Sequence, residues 1–248
     1  DEVTIAPTRR TRDPEGVDIS WEIDAFRFEL PLMAAAVDSV TSPETAIALG
    51  NLGGVGALDL EGLWTRYEDP VPLFEEIASL PDGEVTQRLQ AIYSEPVDTD
   101  LVVERIRQIN ASGVVSAAAV TPQRIESLID SIVAAELDLL VIRNTVVSAE
   151  HVTRSDEPLD LKRFIRQLDL PVIVGGCASY QAALHLMRTG AAGVLVGVGA
   201  GEASTFGPVE PPRDHVAVQV GHGGRVGDGV GAGARLRDGQ AADGGRLV

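Results

Sequence analysis

The sequence predicts an α/β chain of the (β/α)8 barrel, or TIM barrel, class, incomplete as read: six βα units followed by an irregular tail. Three observations carry that prediction. Six short apolar runs alternate with amphipathic helical stretches through residues 30–196. Strands joined by a crossover helix have to be parallel, and these are apolar throughout, as strands covered on both faces should be. Glycines cluster after the last two strands, at Gly175-Gly176 and at Gly197, Gly199 and Gly201, where backbone amides can approach a ligand closely. Barrels of this class carry their sites on the loops after the strands.

Taken in order, residues 1–7 read as a short β-like entry. Residues 9–13 form an Arg-rich link, in which Arg9, Arg10 and Arg12 are a solvated stretch or an interface contact. Residues 30–37 are the first buried strand. Ser42, Pro43 and Glu44 supply an N-cap, a first-turn proline and an early acid for a helix that stops at Gly53-Gly54. Residues 55–60 are the second strand, and residues 69–93 an amphipathic helix interrupted near Pro81-Asp82-Gly83. The helix over 100–112 lines up Leu101, Val102, Ile106 and Ile109 and ends at Gly113.

Residues 114–120 are the third strand, and Thr121-Pro122 is expected to cap a helix reaching Ala135. Residues 137–142 make the fourth strand and 159–168 a further helix. The fifth strand, 171–174, closes at Gly175 and Gly176. A helix over 178–188 then stops at Gly190, a residue tolerant of positive φ, before the sixth strand at 193–196. A GxGxxG loop after the first strand, the mark of a dinucleotide-binding doubly wound sheet, is absent.

The formal net charge of -17 opposes non-specific binding to nucleic acid or anionic membranes. Hydrophobic residues are 44% of the chain but aromatics only 4%, so the core is expected from Ala, Val, Leu and Ile. Cys177 is the one cysteine, which excludes an internal disulfide and a zinc cluster. The four histidines lack any HExxH spacing. No apolar run approaches the ~18 residues of a membrane span, and the charged opening is unlike a signal peptide. A reduced, cytoplasmic setting is the expectation. The first residue is not Met, so the N-terminus is read as incomplete.

Beyond Phe206 the composition changes. Residues 207–248 contain no Ser, Thr, Asn, Ile, Lys, Met or aromatic residue. Two readings stand, a flexible low-complexity tail and a reading-frame shift in a GC-rich gene near Ser204, the second being favoured. The expected division is a partial barrel over 1–206 and an irregular tail over 207–248.

Several stretches resemble one family. DEVTIAP, AAAVDSVTSPETAIALGNLGGVG, EGLWTRYEDP, TVVSAEHV, PVIVGGC and HLMRTGAAGVLVGVGAG are similar to segments of the inosine monophosphate dehydrogenase and GMP reductase family. The likeness is to its short members without the inserted CBS pair, for which residues 60–101 leave no room. The resemblance implies a (β/α)8 barrel, often tetrameric, that moves a hydride between purine C2 of a nucleoside monophosphate and NAD or NADP. A loop cysteine after the sixth strand attacks C2, and the same loop holds a potassium ion and the nucleotide phosphate.

Carried over by residue, the resemblance places catalysis at Ser204 and Thr205. Substrate binding falls to Asp38, Gly199, Gly201 and Glu202. Cofactor binding falls to Asn144, Thr145, Gly175, Gly176 and Gly197, and potassium to the backbone at Gly199, Gly201 and Ser204. Departures are plain. Ser204 stands where the cysteine is expected, and a hydroxyl is the poorer nucleophile. Glu202 replaces a phosphate-binding serine, Arg143-Asn144 an Asp-Ser pair facing the nicotinamide, and Ala35 and Val37 a Ser and a Met at the base. Cys177 is a candidate surrogate nucleophile or an inert small hydrophobe; His151 is a candidate rim residue and His185 a packed or surface one. With strands seven and eight missing, the chain is expected to be impaired or poorly soluble. A non-catalytic purine-nucleotide-binding homologue or partner subunit is the alternative.

Overall fold

The structure, a computed structural model, describes residues 13–144, 150–151, 159–197 and 217–219. A 3-10 turn at Pro14–Gly16 leads into a hairpin of β1 (Trp21–Ile23) and β2 (Phe26–Phe28), with Ile23 opposite Phe26. There follow β3 (Met33–Ala34), α1 (Pro43–Asn51), β4 (Val55–Asp59), a 3-10 turn at Leu63–Thr65, α2 (Val71–Ser79), α3 (Asp82–Ile92) and α4 (Thr99–Asn110). Then come β5 (Ala117–Val120), α5 (Ile125–Ala134), β6 (Leu139–Arg143), β7 (Glu150–His151), β8 (Leu159–Asp160), α6 (Leu161–Ile165), β9 (Val172–Cys177), α7 (Tyr180–Met187), β10 (Gly193–Val196) and β11 (Ala217–Gln219).

Six of these strands, β3, β4, β5, β6, β9 and β10, lie side by side in chain order and are all parallel. A doubly wound sheet would reverse its strand order part-way. Unbroken progression is the barrel's pattern, and the sheet is a half-barrel of six strands, as an incomplete TIM barrel should be. β11 joins the β10 edge antiparallel.

Period-two alternation sorts the strand side chains into two layers. Ala118, Val120, Leu140, Ile142, Val172 and Val174 pack outward against helix residues such as Val102, Ile106, Ile125, Leu128 and Ile132. Their neighbours Ala57, Ala117, Ala119, Leu139, Val141 and Ile173 turn inward. Ile23 and Phe28 of the hairpin are buried among these inward residues, and the Trp21 ring stacks on Phe28 at 4.8 Å. Phe26 also lines a cleft of about 450 Å3 with Val114, Val115, Glu136 and Asp138, which lie ahead of β5 and β6. The hairpin therefore sits at the N-terminal end of the strands and leaves their C-terminal ends clear.

Most helix signals hold. Ser42 caps α1, accepting from the Thr45 N–H, while the Thr45 hydroxyl accepts from the Ser42 N–H at 2.6 Å. The interrupted helix is the pair α2 and α3, and Gly190 has φ +98° after α7. Three expectations need correction. Thr121 does not cap α5 with its side chain; its carbonyl accepts from Arg124 and Ile125, and the helix starts only at Ile125. The helix expected over 159–168 is the single turn of α6, because Asp160 accepts the Arg163 N–H as its cap. The fifth strand does not close at Val174 but runs on through Gly175 and Gly176 to Cys177, since β10 offers it a parallel partner that far.

Candidate active site at the C-terminal rim

At the end of β3 the chain folds tightly: the Thr41 hydroxyl donates to the Ala35 carbonyl at 2.7 Å, and the Thr41 N–H donates to Val37. That turn aims Asp38 at the loop after β4. Its Oδ1 accepts the Leu63 N–H at 2.9 Å and its Oδ2 the Tyr93 hydroxyl at 2.5 Å. Gly62 has to be glycine here, since a Cβ would lie 2.0 Å from Asp38 Oδ1. Arg66 stacks over the Tyr93 ring, 5.8 Å from its centroid, and holds the Glu61 carbonyl at 3.0 Å. Burial raises the Asp38 carboxyl above the ordinary carboxylate range. Burial, helped by the Asp38 carboxylate beside it, pushes the Tyr93 hydroxyl well above its own.

The next strand ends are tied by carboxylates as well. Asp59, the last residue of β4, accepts the Glu61 N–H at 3.0 Å on Oδ1 and Arg143 Nη2 at 2.8 Å on Oδ2. The same Nη2 donates to the Ala36 carbonyl. Glu61 accepts the Thr121 N–H at 2.6 Å. One guanidinium at the end of β6 thus joins the ends of β3 and β4, and Glu61 joins β4 to β5.

Burial pushes Asp59 up to about 6, the charges of Asp38 and Glu61 adding to it and Arg143 opposing it. A carboxyl raised in this way stabilises the fold when protonated. That contribution is complete below about pH 4 and is lost as pH rises through about 6, on the order of 3 kcal/mol in all. Asp59→Asn, which imitates the protonated form, is expected to flatten the fall in stability across that window, with a remainder from Asp38. Urea unfolding at a series of pH values measures it, and identical slopes in variant and wild type would refute it.

On the far side of the mouth, the Asn144 N–H donates to the Gly175 carbonyl and the Gly176 N–H to the Asn144 carbonyl, both at 2.9 Å. Three residues expected to bind cofactor are thereby brought together. Gly175 is glycine for a packing reason, because a Cβ there would meet Leu195 Cβ at 2.4 Å. Gly197 follows β10 at φ +121°, a conformation open to glycine, and donates to the Cys177 carbonyl at 2.8 Å.

Cys177 is buried in the outward layer, and that burial raises its thiol pKa. Of the two readings, that burial fits the inert small hydrophobe. His185 is exposed on α7, and His151 lies in β7, opposite Leu159 of β8. Thr145, Gly199, Gly201, Glu202, Ser204, Thr205 and the Arg9, Arg10, Arg12 group lie outside the described residues, and the potassium expectation rests on them. Among the described residues, no group of His, Cys, Asp and Glu is placed to hold a metal, and no helix is long and apolar enough to cross a membrane. Sequence reasoning missed Asp59, Glu61, Arg66 and Tyr93. Asp59 and Glu61 flank the last residue of a predicted strand, which is a readable signal; Tyr93 reaches Asp38 across 55 residues and has none.

The family model of the IMP dehydrogenase/GMP reductase domain matches residues 1–210. The chain belongs to that family. It is 46% identical over 204 residues to an uncharacterized oxidoreductase of Mycolicibacterium smegmatis, covering 80% of this chain and 54% of that one. Against an uncharacterized oxidoreductase of Mycobacterium tuberculosis the figures are 46% over 209 residues, 82% and 56%. An inosine-5'-monophosphate dehydrogenase of Methanocaldococcus jannaschii matches at 36% over 58 residues, which is 23% of this chain and 12% of that enzyme. The crystal structure of an IMP dehydrogenase/GMP reductase-like protein from Corynebacterium glutamicum superposes with a TM-score of 0.73 at 41% identity, covering 79% of this chain and 52% of that one. The chain spans about half the length of the curated relatives it matches.

Proposed function

We propose that the chain is a purine-nucleotide oxidoreductase of the IMP dehydrogenase or GMP reductase type. It exchanges a hydride between purine C2 of IMP, XMP or GMP and NAD or NADP, within guanine-nucleotide metabolism. One observation carries the reading: Asp38, Asn144, Gly175, Gly176 and Gly197 all come to the C-terminal ends of parallel strands, the face where such barrels act. The cofactor is assigned to Asn144, Thr145, Gly175, Gly176 and Gly197. The nucleotide phosphate is assigned to the amides near Gly199, Gly201 and Glu202, with a potassium ion on the carbonyls of Gly199, Gly201 and Ser204. Asp38 acts mainly by holding the β4 loop, both its oxygens being engaged by Leu63 and Tyr93. A cytoplasmic homotetramer is the proposed setting.

Chemically the step asks for a nucleophile at C2, and residue 204 is serine. A hydroxyl needs an adjacent base to act, so turnover by this chain is expected to be slight. The same serine favours a second reading, a homologue that binds a purine nucleotide without converting it. Calorimetric titration with IMP, XMP and GMP, followed by reduction of NAD(P) or oxidation of NAD(P)H, separates the two. Binding is expected in wild type, and turnover to increase in Ser204→Cys. Binding with no turnover in either form selects the second reading. Preference for a sugar phosphate over every purine monophosphate refutes both.

A further inference from the structure

Inside the half-barrel the inward positions of β4 are Val55, Ala57 and Asp59, and those of β6 are Leu139, Val141 and Arg143. Below the rim the described strand residues of this layer are apolar, with Ala117, Ala119 and Ile173 beside them. Asp59 and Arg143 are thus the polar top of an apolar interior, placed where a ligand entering the mouth meets the floor. They are not sealed in: the Arg143 side chain is 38% exposed and that of Asp59 20%. The contacts of Arg143 among the described residues use Nη2 alone, of the five N–H donors a guanidinium carries. Among the described residues each Asp59 oxygen accepts one hydrogen bond, and a carboxylate oxygen can accept another.

We propose that Arg143 and Asp59 together read a neutral O=C–N–H edge on the ligand, a carboxamide or a lactam. Arg143 donates to its oxygen, and Asp59 accepts from its N–H. Opposite charges held 2.8 Å apart present a donor beside an acceptor, the complement of an amide edge. A free anion fits less well, since Asp59 would repel what Arg143 attracts. A hydrocarbon edge would strand both groups without water or partner. The pair comes from strands 84 residues apart in sequence, and only the sheet brings it together. Arg143 is also held by the Ala36 carbonyl, which sets the guanidinium across the mouth.

This inference rests on the proposed function for its probes, because the nicotinamide cofactor carries a carboxamide and IMP a lactam. Calorimetric titration would compare NAD with 3-acetylpyridine adenine dinucleotide, whose methyl ketone lacks the N–H. It would also compare IMP with purine riboside monophosphate, which lacks the lactam. For one of the two pairs, wild type should prefer the amide-bearing member by about ten- to hundredfold. Arg143→Met and Asp59→Leu should erase that preference, since neither replacement offers the lost donor or acceptor, and Arg143→Lys should keep part of it, the charge surviving without the fork. Circular dichroism of each variant would confirm folding, and the wild-type comparison decides even where a variant does not fold. Equal binding within both pairs, or a preference that survives Arg143→Met, overturns the inference and leaves the proposed function standing. No binding of any of the four to wild type overturns both.

Discussion

Leu140→Ala is expected to lower the stability of the chain by about 3–4 kcal/mol. Leu140 is fully buried in the outward layer of β6, in register with Ala118 on one side and Val172 on the other. Those neighbours are held by backbone ladders on both sides, so the surroundings have little freedom to collapse into the space left. The loss therefore combines the removed apolar transfer energy with a retained cavity, in the middle of the range for such truncations. Urea denaturation with the slope held common to both proteins measures it. A loss under about 1 kcal/mol would mean that the helices do not cover this face of the sheet.

Gly175→Ala is the second large effect, and it has the opposite geometry. The added methyl would lie 2.4 Å from Leu195 Cβ, 2.6 Å from the Leu195 carbonyl oxygen and 2.9 Å from its Cα. None of these atoms is the end of a flexible side chain, so β9 and β10 have to move apart. Such overpacking costs typically up to about 3 kcal/mol. The displacement would also strain the Asn144 N–H to Gly175 carbonyl bond and disturb the rim where cofactor is proposed to bind. Gly16→Ala is the control, because nothing lies within 4 Å of the Cβ it would add. Its effect should stay within about 0.5 kcal/mol of zero. Equal stabilities for the two variants would show that β9 and β10 are not in contact at this position.

Much of the fold was legible in the residues. The runs at Val55–Asp59, Ala117–Val120, Leu139–Arg143 and Gly193–Val196 are apolar enough to mark buried strands. The helices between them carried cap and stop signals that hold in detail at Ser42 and Gly190. The β1–β2 hairpin leaves only a faint trace in the sequence, although Trp21-Glu22-Ile23 and Phe26-Arg27-Phe28 alternate as strands do. Three-residue strands leave too short a pattern to stand out, and their burial depends on the barrel interior that receives Ile23 and Phe28.

The site was legible only in part. Glycine spacing pointed to the C-terminal rim at Gly175, Gly176 and Gly197, the family resemblance added Asp38 and Asn144, and all five lie there. The role of Asp38 was not readable, because its partners Leu63 and Tyr93 arrive from a loop and from the residue after α3. Gly175 read as a ligand-facing glycine, and its nearest demand proved to be Leu195.

By itself the sequence determined which stretches become strands and helices, their order, and the parallel sense of the sheet. Those depend on local periodicity and on crossover length, which a chain carries along its own contour. Only the tertiary structure decided that Asp59 faces Arg143 and that a lone thiol is shut away behind the sheet. Such pairings depend on strand register, in which a slip of one residue sends every side chain to the other face.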